Sequence, residues 1–355
     1  MEAKLKAIVK KLNEKYGEGT IVLGSEVSWD LPRCPTGSLS LDVALGGGWP
    51  MNQWSEIVGE ESSGKTLIAM KTVAANQARN PSWMTVWFDA EHTYDPVWAR
   101  KLGVDSEKVI VIPEQGMEQV YQMALEFLSS REVDCIIIDS LPALVPEREE
   151  NAAMEDFQVG LGAFLTGKFF RKQGSHTKRS LAESERPVLG LMINQWREKI
   201  GVMYGDPRTT PGGKGKNFFY VTRVEVRRDE WIEEKDTRYG QTIKARVFKN
   251  KTAVPHRLAL MDFYFSDLAP FKAGQFDEVK EIANLAVLKK IITQHGGGFY
   301  RYGEDHKWRG RQGLYDAIRT DDAVRAAITA EVLGAAVVEP QEAPRKVARR
   351  PRAAK

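Results

Sequence analysis

Apolar strand-like runs alternating with helical periodicity predict an α/β protein: a mainly parallel, twisted sheet flanked by helices. Three observations carry this expectation. Strand-like runs near 54–58, 84–89, 109–112, 134–139 and 188–194 are separated by helical patterns near 66–79, 95–102, 117–130 and 160–173. Three more runs, 218–226, 241–249 and 258–265, follow without clear helices, so that edge of the sheet is expected to be antiparallel. Between Trp54 and Thr66, a short apolar run leads through a Gly-bounded loop into the first helix.

In chain order, residues 3–16 place Leu5, Ile8, Val9, Leu12 and Tyr16 on one helical stripe with lysines opposite, an amphipathic helix that must dock on something. Gly17 and Gly19 stop it, and 20–23 reads as a short strand. Pro32 and Pro35 mark the boundary of the main domain. The expected organisation is an arm at 1–35, a core at 36–270, a small α/β domain at 271–333 and a basic tail at 334–355. In the small domain, 277–291 and 321–332 are helical by pattern, and 296–300 is a glycine turn into a strand.

The loop Gly59-Glu60-Glu61-Ser62-Ser63-Gly64-Lys65-Thr66 fits G-x-x-x-x-G-K-[ST]. At ordinary residue frequencies a chain of this length matches it by chance on the order of 0.01 times. The strand before it and the helix after it are the context the motif needs. Gly59 and Gly64 let successive N–H groups turn inward onto phosphate oxygens, and the helix N-terminus adds partial positive charge. Lys65 can reach the outer phosphates and the Thr66 hydroxyl can ligate Mg²⁺, so the motif points to a nucleoside triphosphate.

Other strands end in chemistry. Residues 133–139 form an apolar run closing on Asp139, where a phosphate-loop fold puts its metal-orienting carboxylate. The run 85–92 ends in Asp89 and Glu91, either of which could position and deprotonate a water; alternation puts both on one side, and spacing does not choose between them. A third strand ends at Asn194-Gln195, and Gln195 could bond a terminal phosphate. The polar, Gly-rich stretch 196–216, with Arg197, Lys199, Met203 and Tyr204, suits a loop that tracks a nucleic-acid backbone and touches base faces. A second loop, 146–160, offers Met154 and Phe157, but its five acids argue against phosphate attraction, which Arg171 and Lys172 on the next helix could supply.

Composition narrows the class. Hydrophobic residues make up 42% and charged residues 28% of 355, ordinary for a globular protein. No apolar run approaches the roughly 18–20 residues of a membrane span, and the N-terminus has no apolar signal core. Cys34 and Cys135 suggest plain thiols in a reducing cytoplasm, and the five histidines show no metal-ligand spacing. Net charge is +3, yet 343–355 holds six basic residues and no acid, so the rest of the chain carries −3. Nucleic-acid binding must therefore rest on local patches.

Together these stretches resemble the bacterial RecA recombinases and their phage-encoded relatives. The matching segments are 36–42, the phosphate loop, 89–92 with 95–105, Asp139-Ser140, Asn194-Gln195, 199–205, 209–213 and Lys249-Asn250-Lys251, in family order across the core. The resemblance implies a RecA-type P-loop ATPase core using ATP and Mg²⁺, and a DNA-dependent ATPase that forms helical filaments on single-stranded DNA. Homologous pairing and strand exchange with duplex DNA would follow. It also implies Glu91 as catalytic carboxylate, Asp95 and Trp98 as adenine contacts, and Gln195 as γ-phosphate sensor. The loops 146–160 and 196–210 become the DNA loops, with Gly212 and Gly213 closing the second. Lys249 and Lys251 would reach a neighbouring subunit's nucleotide, and the N-terminal helix becomes a polymerisation arm. The other readings of the same core are a hexameric helicase and a DNA-coating scaffold without strand exchange.

Four departures stand out. Trp98 replaces a common Tyr, Trp196 is bulkier than the usual aliphatic residue, and Phe164 sits where a basic contact is expected. The tail is basic where well-known members are acidic, so its charges are expected to meet phosphates without reading bases.

Overall fold

The computed structural model describes residues 3–17, 20–21, 23, 31–113, 115–153, 155, 160–183, 186–198 and 207–334. Residues 33–355 cluster as one compact unit and 1–32 as another. The predicted N-terminal helix is α1, Ala3–Tyr16, with no buried residue, so its apolar Leu5 and Ile8 lie exposed. Thr20, Ile21 and Leu23 carry no strand; the rest of the 20–23 expectation falls on residue 22, outside the described residues.

The core is a nine-stranded sheet. Its strands are β1 (Trp54–Gly59), β2 (Thr85–Asp89), β3 (Val109–Pro113), β4 (Cys135–Asp139), β5 (Leu189–Gln195), β6 (Thr222–Glu234), β7 (Thr237–Asn250), β8 (Leu258–Tyr264) and β9 (Gln275–Phe276). Their order is β9-β8-β7-β6-β1-β5-β4-β2-β3. β6 through β3 run parallel, while β6-β7-β8-β9 are antiparallel, as the missing helices there implied. β1, β2 and β4 are buried throughout. That is what near-continuous apolar runs in a doubly covered sheet require.

Helices cover both faces. On one, α3 (Lys65–Arg79) sets Ile68, Met70 and Val73 against Ile57, Ile137 and Leu191, with α2 (Leu39–Leu45) beside it. On the other, α5 (Met117–Ser130) and α6 (Leu161–Glu183) bring Val120, Tyr121, Phe169 and Phe170 onto Trp54, Ile136 and Met192. Pro96–Lys101 forms the short α4. A third cluster joins α7 (Glu278–Leu288), α8 (Gly310–Thr320) and α9 (Asp322–Gly334), beside a small sheet of 293–295, 299–302 and 306–309.

Several expectations need correction. The strand expected at 218–226 begins only at Thr222, because Lys216–Phe219 is a helical turn. β6 and β7 then run on to a hairpin at Lys235-Asp236, both at positive φ, far beyond the apolar residues. Cross-strand pairing sustains that polar ribbon, with Arg228 and Arg238 against the Trp231 ring at 4.1 and 4.5 Å. α6 extends ten residues past the expected 173, and α2 and α8 are helices that the sequence reading does not include.

The third cluster is tied to the core by a buried carboxylate. Ser38 caps α2, and Glu281 on α7 accepts hydrogen bonds from Ser38 Oγ and Ser40 N, each 2.8 Å. Burial pushes the Glu281 pKa up to about 8, although both bonds pull the other way. The unfolded chain loses this proton near the ordinary glutamate value of 4.5. The folded chain keeps it to about 8, so stability falls as pH rises between those values and levels off above. Glu281→Gln, which mimics the protonated acid, should therefore gain on the parent protein from pH 5 to 8 in thermal melts. A gap that stays constant with pH would remove this account.

Candidate active site

Parallel register brings the strand ends together. Gly59 of β1 pairs with Gln195 of β5, and Asp89 of β2 with Asp139 of β4, all at the carboxyl edge of the sheet. The phosphate loop leaves β1 here and enters α3, with Gly64 at its N-cap at φ 100°. A Cβ on Gly59 would lie 2.2 Å from the Val226 carbonyl oxygen, so only glycine lets the loop start this close to β6.

A cleft of about 400 Å³ opens over this edge, lined by Glu61, Ser62, Ser63, Gly64, Lys65 and Thr66 of the loop. Leu67, Glu91, Thr93, Trp98, Asp139, Gln195, Gln241 and Phe263 complete it. The volume is within the usual range for a small-molecule site. Thr66 Oγ1 donates to Asp139 Oδ2 at 2.8 Å, so the two oxygens expected to meet a divalent cation are side by side. Lys65 Nζ donates to the Glu60 carbonyl at 2.7 Å. Ser63 Oγ is buried with no hydrogen-bond partner among the described residues. Hard oxygen donors beside a lysine at a helix N-terminus fit a metal-bound triphosphate.

The electrostatics follow from burial. Asp139 is pushed up to about 7, chiefly by desolvation and further by Glu91 and Asp89, against the Thr66 hydrogen bond and Lys65. Lys65 is pulled below its ordinary value by burial, opposed by Asp139, Glu91, Glu60 and Glu61. A cation brought beside Asp139 would favour its ionised form.

Geometry separates the two acids that spacing left open. β2 ends at Asp89, whose oxygens accept the Thr93 and Tyr94 backbone N–H groups at 3.0 and 2.9 Å. Glu91 stands on the following turn, not one pleat along the strand. It lines the cleft, accepts from Ser140 Oγ, and takes a longer bond from Gln195 Nε2 at 3.4 Å. Asp89 builds the turn and Glu91 faces the cleft.

Trp98 lines the cleft and packs edge-on against Phe263, centroids 6.3 Å apart. Asp95 does not line it; its carboxylate caps α4 through the Val97 N–H at 2.8 Å. Lys249 and Lys251 are also outside it. Lys249 Nζ donates to the carbonyls of Asn217 and Tyr220, and Lys251 Nζ to that of Phe218 at 2.7 Å. Desolvation, then Lys251 and Arg223, lower the Lys249 pKa to about 8.

The expected DNA contacts are partly described. Arg171 is exposed on α6, and Arg197 is exposed in a two-residue strand paired with Arg208-Thr209. Gly212 and Gly213 have φ 85° and 75°, and added Cβ atoms would press on Leu141 and Lys216, and on Ala163. Their need for glycine thus already follows from this chain's own packing. Met154, Phe157, Lys199, Met203 and Tyr204 lie outside the described residues, as does the basic tail.

The model for the RecA N-terminal domain matches residues 3–268. The chain belongs to the RecA family. RecA of Enterococcus hirae is 36% identical over 338 residues, covering 94% of this chain and 92% of that protein. RecA of Levilactobacillus brevis is 36% identical over 345 residues, covering 96% and 87%, and RecA of Rhodopirellula baltica 35% over 336, covering 94% and 85%. In this RecA-family chain the cleft is built on the Gly59–Thr66 loop. Sequence reasoning missed Leu67, Thr93, Ser140, Gln241 and Phe263 as cleft partners. Ser140 was quoted in the resemblance without a role, and strands β7 and β8 gave no sign that they reach the cleft.

Glu91→Gln keeps the shape of the side chain but cannot accept a proton. It should bind a fluorescent nucleotide as the parent does and lose about 10²–10⁴-fold in turnover. Unchanged turnover would move the role to another acid.

Proposed function

We propose that this protein is a DNA-dependent ATPase that polymerises on single-stranded DNA, with ATP between subunits, and pairs that strand with homologous duplex for strand exchange. The carrying observation is continuity: Gln195, which lines the nucleotide cleft and bonds Glu91, is followed directly by the 196–210 segment assigned to DNA. The exposed apolar stripe of α1 suits a polymerisation arm. The free, buried thiols of Cys34 and Cys135 suit the cytoplasm.

In this reading Lys65 and the loop N–H groups hold the phosphates, and Trp98 with Phe263 offers an aromatic wall to the adenine. Thr66 and Asp139 would hold a magnesium ion, which when bound supplies charge neutralisation at the phosphates. Glu91 orients the attacking water and accepts its proton. Gln195 senses the terminal phosphate. Asp95 acts at the rim while capping α4. Lys249 and Lys251 act in trans, stabilising charge on the neighbour's γ-phosphate. Arg171, Arg197, Gly212 and Gly213 serve the first strand together with residues 154, 157, 199, 203 and 204, and duplex DNA binds secondarily.

Electron microscopy with a slowly hydrolysed ATP analogue should show long helical filaments on single-stranded DNA, and the parent protein should exchange strands with ATP. Closed rings, or filaments inert in exchange, would favour a motor or a scaffold instead.

The trans role has its own test. Lys65→Ala and Lys249→Ala should each abolish DNA-stimulated turnover. In an equal mixture, roughly a quarter of head-to-tail interfaces pair an intact loop with an intact lysine, so activity should return in part. No recovery in demonstrably mixed filaments would place Lys249 in cis or out of the reaction.

A further inference from the structure

Glu56 is the one charged residue of β1, and it is fully buried. Its strand lies between β5 and β6 near the middle of the sheet, where a carboxylate needs full compensation. Glu56 Oε1 accepts from Lys216 Nζ at 2.9 Å and Asn194 Nδ2 at 2.8 Å, and Oε2 accepts from Arg223 Nε at 2.5 Å. Lys216 is itself fully buried. Its ammonium also donates to Thr210 Oγ1 at 2.7 Å and Asn217 Oδ1 at 2.9 Å, so its three protons have three acceptors.

These bonds join places of different function. Asn194 precedes the cleft residue Gln195, accepts its backbone N–H at 2.9 Å, and donates to the Pro211 carbonyl at 3.3 Å. Thr210 and Pro211 are the far end of the segment that starts at Trp196. Lys216 opens the helical turn Lys216–Phe219, and the carbonyls of Asn217, Phe218 and Tyr220 are those held by Lys249 and Lys251. One buried ammonium therefore touches the exit of the loop, the turn that seats the two lysines, and Glu56 of β1, which itself accepts from Asn194 beside the proposed phosphate sensor.

We propose that Lys216 is a positioning residue that couples the nucleotide cleft to the 196–210 loop: clamped by Glu56, it fixes the loop exit and the 216–219 turn to the strand end that carries Gln195. The inference rests on the proposed roles of Gln195 and that loop. It states how the two sites read each other. A shift of Gln195 on phosphate contact is carried through Asn194 to Glu56 and Pro211, and Lys216 converts it into a shift of Thr210. Coupling of this kind is reciprocal, so DNA on the loop must tighten nucleotide binding by the same factor.

The test is a coupling ratio: affinity for an oligothymidine with a slowly hydrolysed ATP analogue, divided by affinity without it. Lys216→Met keeps much of the volume and leaves Glu56 neutralised by Arg223, so no uncompensated charge is buried. Thr210→Val cuts only the bond at the loop end and leaves the ion pairs intact. Both variants should melt cooperatively, bind the analogue alone within about twofold of the parent, and lose roughly tenfold of the ratio. The double variant should lose no more than either single one, because both break the same link. A purely structural role would lower melting temperature with the ratio unchanged, and that result overturns the proposal. Additive losses in the double variant would also overturn it. A parent protein whose DNA affinity ignores the analogue would overturn the functional reading itself, and is recognised before any variant is made.

Discussion

Five adjacent parallel pairings, from β6 through β1, β5, β4 and β2 to β3, force the carboxyl ends of these strands to one edge of the sheet. The loop leaving β1, the acids ending β2 and β4, and the amide ending β5 are neighbours for that reason alone. No side chain needs to find another across solvent. Apolar strand bodies buried on both faces fix the register, because slipping one strand by a residue would exchange its core-facing sets. The chemistry at the edge is thus paid for by the hydrophobic middle.

This explains what the sequence made legible. Apolar runs and helical periodicity report burial, and burial on two faces dictates a mostly parallel sheet, so strand ends could be read as candidate sites before any coordinates. The phosphate loop, Asp139 and Gln195 were visible in this way. The choice between Asp89 and Glu91 was not, since it turns on where β2 stops and which backbone N–H groups the turn leaves to be satisfied. The reach of β6 and β7 was equally hidden. Their outer halves are held by pairing and by arginine–Trp231 contacts, which leave no apolar period in the chain. A signal for the buried network did exist: Glu56 is the lone charge inside the strand Trp-Ser-Glu-Ile-Val-Gly. A charge there requires a partner from elsewhere, and only the fold says which.

The bulky Trp196 also finds a local reason. Arg208 lies over its ring at 4.7 Å and pairs with Glu225, while Phe248 packs against it at 6.0 Å. The two-residue pairing of Arg197-Glu198 with Arg208-Thr209 closes the same stem from the backbone side. An aromatic base with a cation stacked on it makes a firmer foot for the 196–210 segment than an aliphatic residue could, since the ring offers Arg208 an attraction beyond area. The stem is therefore anchored twice, by this stack at its outer end and by Lys216 at its inner end.

The buried charges themselves argue against a purely stabilising purpose. Glu56, Lys216 and Arg223 must be stripped of water to sit where they do, and a well-packed apolar set of similar volume would commonly be as stable or more so. What an apolar set cannot do is transmit direction: its contacts tolerate sliding, whereas an ammonium with three acceptors at 2.7–2.9 Å holds each of them in one place. Two cations against one anion also leave a positive excess next to Lys249, and Arg223 is among the causes that bring that lysine down to about 8. Near neutral pH, then, Lys249, whose ammonium holds the Asn217 and Tyr220 carbonyls at the 216–219 turn, remains mostly charged beside two other cations. In the trans arrangement proposed above, a phosphate from a neighbouring subunit would bring a second anion to this cluster, beside Glu56.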